Sequence, residues 1–328
     1  MSARLARLLP ALARLSPDEF RSGEQLAREL GISRANLHLL LRQAARLGID
    51  VHAVHGRGYR LTRAVDLLDA ERLNADLSAL GIRVQCLPEL DSTNARLLAM
   101  AAEGAPHGSL LAAEQQTQGR GRRGRSWVSP LGTGLTFSLL YRFERPLAQM
   151  AGLSLAVGVG LARAIRALGG QGVGLKWPND LLYGRDKLGG ILIELAGDML
   201  GPVAAVIGIG LNVRDGRLLS ERVGVPVADL EAACGRPLER NAVLIALVQG
   251  VWQVLDDFAQ RGFAPLREEW TALHAWQGRP VVAQLPDDTR LEGLALGVDE
   301  HGCLLVDDGA RVHRLHSAEV SLRLGEAA

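Results

Sequence analysis

The chain of 328 residues, 48% of them hydrophobic, is long enough for two or three domains around a sizeable core. Charges interrupt every apolar stretch, and Pro10 and Pro17 break the Arg-rich start, so the expectation is a cytoplasmic protein with no signal segment and no membrane span. Cys86, Cys234 and Cys303 are odd in number and far apart, which argues against a disulfide framework or a zinc knuckle, and no protein-built metal site is expected.

The net charge of +1 hides an uneven distribution. Residues 1–65 carry 11 Arg against 5 acidic residues, a candidate footprint for a polyanion, and the remainder of the chain is net acidic. Of the 37 basic residues only Lys176 and Lys187 are Lys. Where Arg serves at every other cationic position, these two point to a need for a compact, flexible ammonium, as close approach to a phosphate or a reacting carboxylate requires.

In chain order, Ser22 caps a predicted helix over 24–30, Gly31 supplies its C-terminal turn, and Ser33 caps a second helix over 34–47. Leu37, Leu40, Leu41, Ala44 and Leu47 follow the 3.6-residue period and form its buried stripe, with Asn36, Arg42, Gln43 and Arg46 opposite. The segment 51–61, with the turn signal Gly56-Arg57-Gly58, reads as a basic hairpin. From 65 to 276 strands (108–113, 134–141, 174–177, 190–195, 203–209) mix with helices (153–168, 242–261). This is an α+β pattern without the regular alternation of a doubly wound sheet. Short alternating strands follow at 281–285, 290–298, 303–306 and 311–316, with turns at 286–288 and 307–309, and predict a small barrel.

Five motifs stand out along the middle of the chain. Asp91-Ser92-Thr93-Asn94 reads as a helix cap or as a helix N-terminus that receives a polar ligand. The string Gly119 to Arg125, GRGRRGR, holds four guanidiniums and three glycines in seven residues, and reads either as a solvated basic turn or as a loop that closes on phosphate or carboxylate oxygens. It also satisfies G-x-G-x-x-G, but the strand-turn-helix context of a dinucleotide fingerprint is missing. Lys176-Trp177-Pro178-Asn179-Asp180 is a strand-to-turn transition carrying a cation, an aromatic ring and two polar groups. Asp186 to Leu192 places Lys187 at the mouth of an apolar strand with Gly189 and Gly190, and is equally a surface turn. Gly208-Ile209-Gly210-Leu211-Asn212-Val213 is a glycine-bearing strand, suited to tight packing or to a backbone edge laid against a flat ring.

Taken singly these motifs are ambiguous, but in this order and spacing the run DSTN, GRGRRGR, KWPND, DKLGGIL, GIGLNV resembles the catalytic domain of biotin protein ligases. The flanking segments, including the closing Glu319 to Arg323, resemble the bifunctional bacterial form that also represses the biotin operon. The resemblance implies a winged helix-turn-helix domain (1–65), a central mixed-sheet biotin/lipoate ligase-like catalytic domain (66–276) and a C-terminal SH3-like barrel (277–328). Family members activate biotin with ATP, accompanied by Mg2+, to biotinyl-5′-AMP. They then transfer the biotinyl group to a lysine of a biotin carboxyl carrier domain.

By the same resemblance, Ser92, Thr93, Asn94 and Gln116 line the biotin site, and Gly119, Arg120, Gly121 and Arg122 belong to a loop that closes over biotin and the adenylate. Lys187 contacts the biotin carboxylate and then the acyl phosphate. Arg122, Arg125, Trp127, Asn179, Asn212 and Arg323 serve the nucleotide, with Trp127 on adenine. Lys176 and Asp180 serve ATP phosphates, magnesium or the incoming amine, with Asp180 a candidate base. Ser33, Arg34, Asn36, Arg42, Gln43, Arg46 and Arg57 are the expected DNA-binding residues, with Leu39 an apolar intruder on that face. Operator DNA and a homodimer formed on binding biotinyl-AMP are the implied partners. A lipoate-type ligase on the same fold, and a biotin-sensing regulator without ligase activity, are the competing readings.

Overall fold

The computed structural model describes residues 3–47, 49–198, 200–285, 289–316 and 321–325. The chain opens with helices α1 (Ala3–Leu12), α2 (Gly23–Glu29) and α3 (Arg34–Ala44), followed by an antiparallel hairpin, β1 (Val51–Val54) and β2 (Gly58–Leu61). Ser22 and Ser33 cap α2 and α3 as expected, accepting from the Gln25 and Asn36 amides. The α-helix stops at Ala44, earlier than the periodicity suggests, and 45–47 continues as a 3-10 turn. Leu26, Leu37, Leu41, Ala44 and Leu61 build a core of this unit, which Leu131 joins from the central region.

The central elements are α4 (Ala70–Leu77), β3 (Arg83–Leu90), α5 (Thr93–Ala102), β4 (Ser109–Gln116), β5 (Gly134–Phe143), α6 (Leu153–Ala167), β6 (Val173–Lys176), β7 (Asp180–Tyr183), β8 (Asp186–Gly197), β9 (Val203–Asn212), α7 (Gly216–Val223), α8 (Leu230–Cys234), α9 (Arg240–Arg261) and α10 (Arg267–Leu273). Among the described residues the seven strands form one mixed sheet in the order β3-β4-β5-β9-β8-β7-β6. Only β3 and β4 pair parallel. The overlapping readings at 203–209 and 208–213 together span β9, whereas strand 108–113 was read too short from sequence. The apolar run of that strand ends early, but pairing continues through polar residues, with Gln115 opposite Glu89 and Gln116 opposite Leu90. Strand β3 was not read at all.

Helix α9, with 22 residues, is long and apolar enough to cross a bilayer. Its Val243, Leu247, Val251, Val254 and Phe258 are instead buried in the same core as α6 and the sheet, where a soluble core helix belongs. The C-terminal elements β10 (Pro280–Gln284), β11 (Arg290–Val298), β12 (Leu304–Asp307), β13 (Val312–Leu315) and β14 (Ser321–Leu324) form an antiparallel sheet ordered β13-β12-β11-β10-β14. The expected turn at 286–288 lies outside the described residues, as do Glu319 and Val320. Val281, Ala283, Leu304 and Leu322 share one continuous core with the central sheet and its helices, and the Trp177 indole N–H donates to the Gly302 carbonyl at 3.1 Å. The C-terminal sheet is thereby fixed against the KWPND turn.

Candidate active site

A cavity of about 580 Å³ opens on the sheet between the arginine loop and the segment after β9. It is walled at one end by the start of α5. Ser92 is the N-cap of α5, its Oγ accepting from the Ala95 amide, and Ser92, Thr93 and Asn94 are all buried. Gln116, at the end of β4, accepts the Thr93 backbone N–H through Oε1 at 2.7 Å. The Asn94 amide donates to the Leu192 carbonyl and to Glu194 Oε2, both at 2.9 Å. Gly208 on β9 is required here, because a Cβ would fall 2.1 Å from Asn94 Oδ1.

The arginine loop lies folded over the cavity. The Trp127 amide donates to the Gly119 carbonyl and the Gly121 amide to the Arg125 carbonyl, with a 3-10 turn at Arg122–Gly124 between them. Arg123 is held at φ 58°, an uncommon conformation for a residue with a side chain. Arg120, Gly121, Arg122, Arg125 and Trp127 line the cavity. The flat ring laid against the glycine strand belongs to the protein itself: a Cβ on Gly210 would meet the Trp127 indole at 2.4 Å. Gly119 does not line the cavity; it backs the Trp127 carbonyl. Burial pushes the Arg122 guanidinium below its ordinary pKa, opposed by Asp180 and reinforced by Arg123 and Arg125. That is the condition of a cation withdrawn from water among like charges, with Asp180 drawing it inward.

Opposite the loop, Lys187 Nζ sits 2.6 Å from Asp180 Oδ1 and 5.8 Å above the Trp127 ring. The register of β7 against β8 shifts at Leu181/Leu182, so that Leu188 is bulged between Lys187 and Gly189. A bulge of this kind re-aims neighbouring side chains. Asn179 faces the cavity, its Oδ1 3.4 Å from Arg122 Nη1 and its amide nitrogen donating to the Ile191 carbonyl at 2.7 Å. Asn212 is buried, with its amide nitrogen committed to the Ala228 carbonyl at 3.0 Å.

The two lysines separate. Lys187 lines the cavity, whereas Lys176, paired across the β6–β7 ladder with Asp180, stands outside it with Nζ 4.6 Å over the Trp276 ring. Burial lowers the Lys176 pKa, and Lys187, Arg125 and Arg323 lower it further against the pull of Asp180. Arg323 is likewise outside the main cavity. It lines an adjoining groove between the C-terminal sheet and the arginine loop, with Arg123 and Arg125.

Sequence reading missed the apolar wall supplied by Leu219, Val223, Val225 and Val227 beyond β9, and the polar residues Ser138 and Glu194 behind Asn94. Only an apolar cluster in a segment lacking strand alternation signalled the first. In the N-terminal unit Ser33, Arg34, Asn36 and Arg42 are exposed, Gln43 is half-buried, and Leu39 is 57% exposed. Arg57 lies with its guanidinium 4.5 Å over the Phe20 ring. The Arg46 side chain is outside the described residues.

Residues 87–212 match the model of the biotin/lipoate A/B protein ligase family, and residues 278–323 match that of the biotin protein ligase C-terminal domain. The bifunctional ligase/repressor BirA proteins of Salmonella typhimurium and Escherichia coli are each 37% identical over 97% of this chain and 98% of their own. A biotin protein ligase from Aquifex aeolicus, solved in complex with biotin and ATP, superposes with a TM-score of 0.64 at 29% identity, covering 74% of this chain and 99% of that one. With near full-length similarity on both sides and both ligase regions matched, the chain belongs to the biotin protein ligase family.

Proposed function

We propose that this chain joins biotin to ATP, releasing pyrophosphate, and passes the biotinyl group from biotinyl-5′-AMP to a lysine of a biotin carboxyl carrier domain. The observation that carries this reading is the cavity itself, which has buried hydrogen-bonding groups at the α5 end, the Trp127 ring and an apolar wall beyond β9, and Lys187 with Arg120, Arg122 and Arg125 between them. Biotin fits that arrangement with its ureido ring against Ser92, Thr93 and Gln116 and its carboxylate at Lys187. Adenine lies by Trp127 and Leu219.

Both displacements build negative charge on oxygen, and fixed cations stabilise it. The biotin carboxylate replaces Asp180 as partner of Lys187, and Asp180 is then free to accept a proton from the carrier lysine. Asp180 and Asn179 also suit a Mg2+ brought in with the ATP phosphates, since that ion takes one or two protein oxygens beside substrate oxygens. Arg323 and Lys176 extend the positive field toward the phosphates. Closure of the arginine loop keeps water from the mixed anhydride.

The second role is repression of biotin synthesis genes by a winged helix-turn-helix over 1–65, with α3 as recognition helix and β1–β2 as wing. Arg14, Arg21 and Arg28 are tied to Glu29 or Glu24, whereas Arg34, Arg42 and Arg57 have no acidic partner among the described residues. Unpaired guanidiniums on α3 and the wing are what phosphate neutralisation uses. Residues 66–276 form the catalytic domain and 277–328 an SH3-like barrel. The protein acts in the cytoplasm and binds a two-fold operator as a homodimer when loaded with biotinyl-AMP.

Incubation with labelled biotin, ATP, Mg2+ and a biotin carrier domain tests the first role, and label is expected on the carrier lysine. Biotin binding without transfer would make the chain a sensor. A gel shift on DNA upstream of biotin genes, strengthened by biotin with ATP, tests the second.

A further inference from the structure

Behind the wall that takes the ureido ring lies a chain of hydrogen bonds whose direction can be worked out from proton counting. Ser138, on β5, is fully buried. Its Oγ lies 2.6 Å from Asn94 Oδ1 and 2.8 Å from Thr93 Oγ1. Thr93 Oγ1 is in turn 3.1 Å from Gln116 Oε1. Three close oxygen–oxygen contacts therefore share two hydroxyl protons, and one contact has none.

Which contact lacks a proton is fixed from both ends. The Asn94 amide nitrogen faces the Leu192 carbonyl and the Glu194 carboxylate, both acceptors, so turning the amide over would set its oxygen against two oxygens. Asn94 Oδ1 therefore faces Ser138 and can only accept, and the Ser138 proton goes to it. The 2.8 Å Ser138–Thr93 contact then takes the Thr93 proton, being closer to the preferred O–H···O length than the 3.1 Å alternative. Gln116 cannot flip to supply a donor, because its Oε1 accepts the Thr93 backbone N–H at 2.7 Å.

We propose that Ser138 is a positioning residue that sets the polarity of the ligand wall. The relay runs Thr93 to Ser138 to Asn94 to Glu194, and it leaves Thr93 Oγ1 and Gln116 Oε1 as a pair of acceptors with no proton between them. Both residues line the cavity. The pair, facing the cavity with lone pairs only, selects a ligand N–H, so the wall discriminates by hydrogen-bond direction as well as by shape. This rests on the biotin reading and names the chemistry by which the ureido N–H is chosen.

A site built around a hydrogen bond rejects an isostere lacking it far more strongly than an apolar pocket rejects a size change. The test is calorimetric titration of the full chain with biotin and with an isostere carrying a ring oxygen in place of one ureido N–H. The wild type is expected to prefer biotin by at least ~1,000-fold, a conservative floor below the ~10,000-fold and more that such sites reach. In Ser138→Ala the freed Thr93 proton turns to Gln116 or the cavity, and the preference narrows by at least ~10-fold, one lost hydrogen bond. KM for biotin rises with kcat at saturation little changed, as for loss of uniform binding.

A merely structural Ser138 would weaken both ligands equally, and an unchanged preference ratio overturns the proposal. Asn94→Leu is the second variant, for use if Ser138→Ala does not fold. It releases the Ser138 proton to Thr93 and should narrow the ratio in the same way. A wild type that binds biotin without discriminating also overturns the relay. A wild type that binds neither ligand overturns the biotin reading and, with it, the ligand assigned to the relay.

Discussion

Lys187 is the residue whose chemistry the geometry constrains most. Its ammonium reaches Asp180 at 2.6 Å past Gly190, where an added Cβ would stand only 3.2 Å from Nζ. A planar guanidinium needs more room than that, and Lys187→Arg is expected to lower the rate of biotinyl-AMP formation at least ~10-fold, a change of about 1.4 kcal/mol in the barrier. Pyrophosphate release measured without a carrier checks it, and near-normal release would mean that the surviving lysine is incidental. Arg122 has a different task. Its neighbours Arg123 and Arg125 repel it and Asp180 draws it inward, so Arg122→Gly should loosen the loop and release biotinyl-AMP to label lysines indiscriminately. A release rate equal to wild type would contradict this. The motifs that supply these cations were plain in the sequence because Gly, Arg and Lys in such strings cannot be core. Ser138 and Glu194 were not, since one serine in an apolar strand and one acid at the half-exposed end of another carry no local signal; only the pairing of β5, β9 and β8 brings them behind Asn94.

At the level of elements, sequence periodicity located the long strands and helices well and their ends poorly. Strand β4 extends to Gln116 because β3 offers backbone partners that far, and no property of residues 114–116 alone announces it. The seam between α10 and β6 was equally invisible, and it carries a pH dependence. His274, which ends α10, stacks on Trp270 at 4.8 Å and is 5% exposed. Burial pushes its pKa down to about 4, with Gln277 offsetting in part. The unfolded chain takes up this proton below about 6.5 and the folded chain not until about 4, so stability present at neutral pH is lost as pH falls between those values. At one pKa unit per 1.36 kcal/mol the loss is about 3 kcal/mol. Urea midpoints measured from pH 7 to pH 4 should fall less steeply in His274→Phe than in wild type. Parallel slopes would remove His274 from the acid response.

For the whole molecule the decisive feature is how the N-terminal unit is joined to the ligase body. Val65 and Leu67 pack on the N-terminal core, while Asp66 and Leu68 are gripped from the other side. The Asp66 carboxylate accepts from the Arg240 backbone amide and from Arg214, and the Leu68 amide donates to Glu114 at 2.6 Å. Arg240, buried completely, pairs with buried Glu114 at 2.9 Å and donates to the Gly134 carbonyl. Two residues before Val65, Arg63 makes a two-pronged contact to Asp215 at 2.7 and 2.5 Å, but its side chain is 53% exposed.

These two pairs should differ sharply in what they hold. Removing Arg240 strands a carboxylate in the core, so Arg240→Ala is expected to cost about 3–5 kcal/mol of global stability in urea unfolding. Arg63→Ala breaks a pair screened by solvent and should cost under about 1 kcal/mol. What Arg63→Ala should change is the local hold on the joint: protease cleavage between residues 62 and 66 should quicken while biotin transfer to the carrier persists, because Arg63 touches none of the cavity walls. Cleavage no faster than in wild type would assign the hold on the joint to the buried Arg240 cluster alone, and a parallel loss of transfer would show that the arginine at 63 steadies the segment beyond β9 that supplies the apolar wall of the cavity.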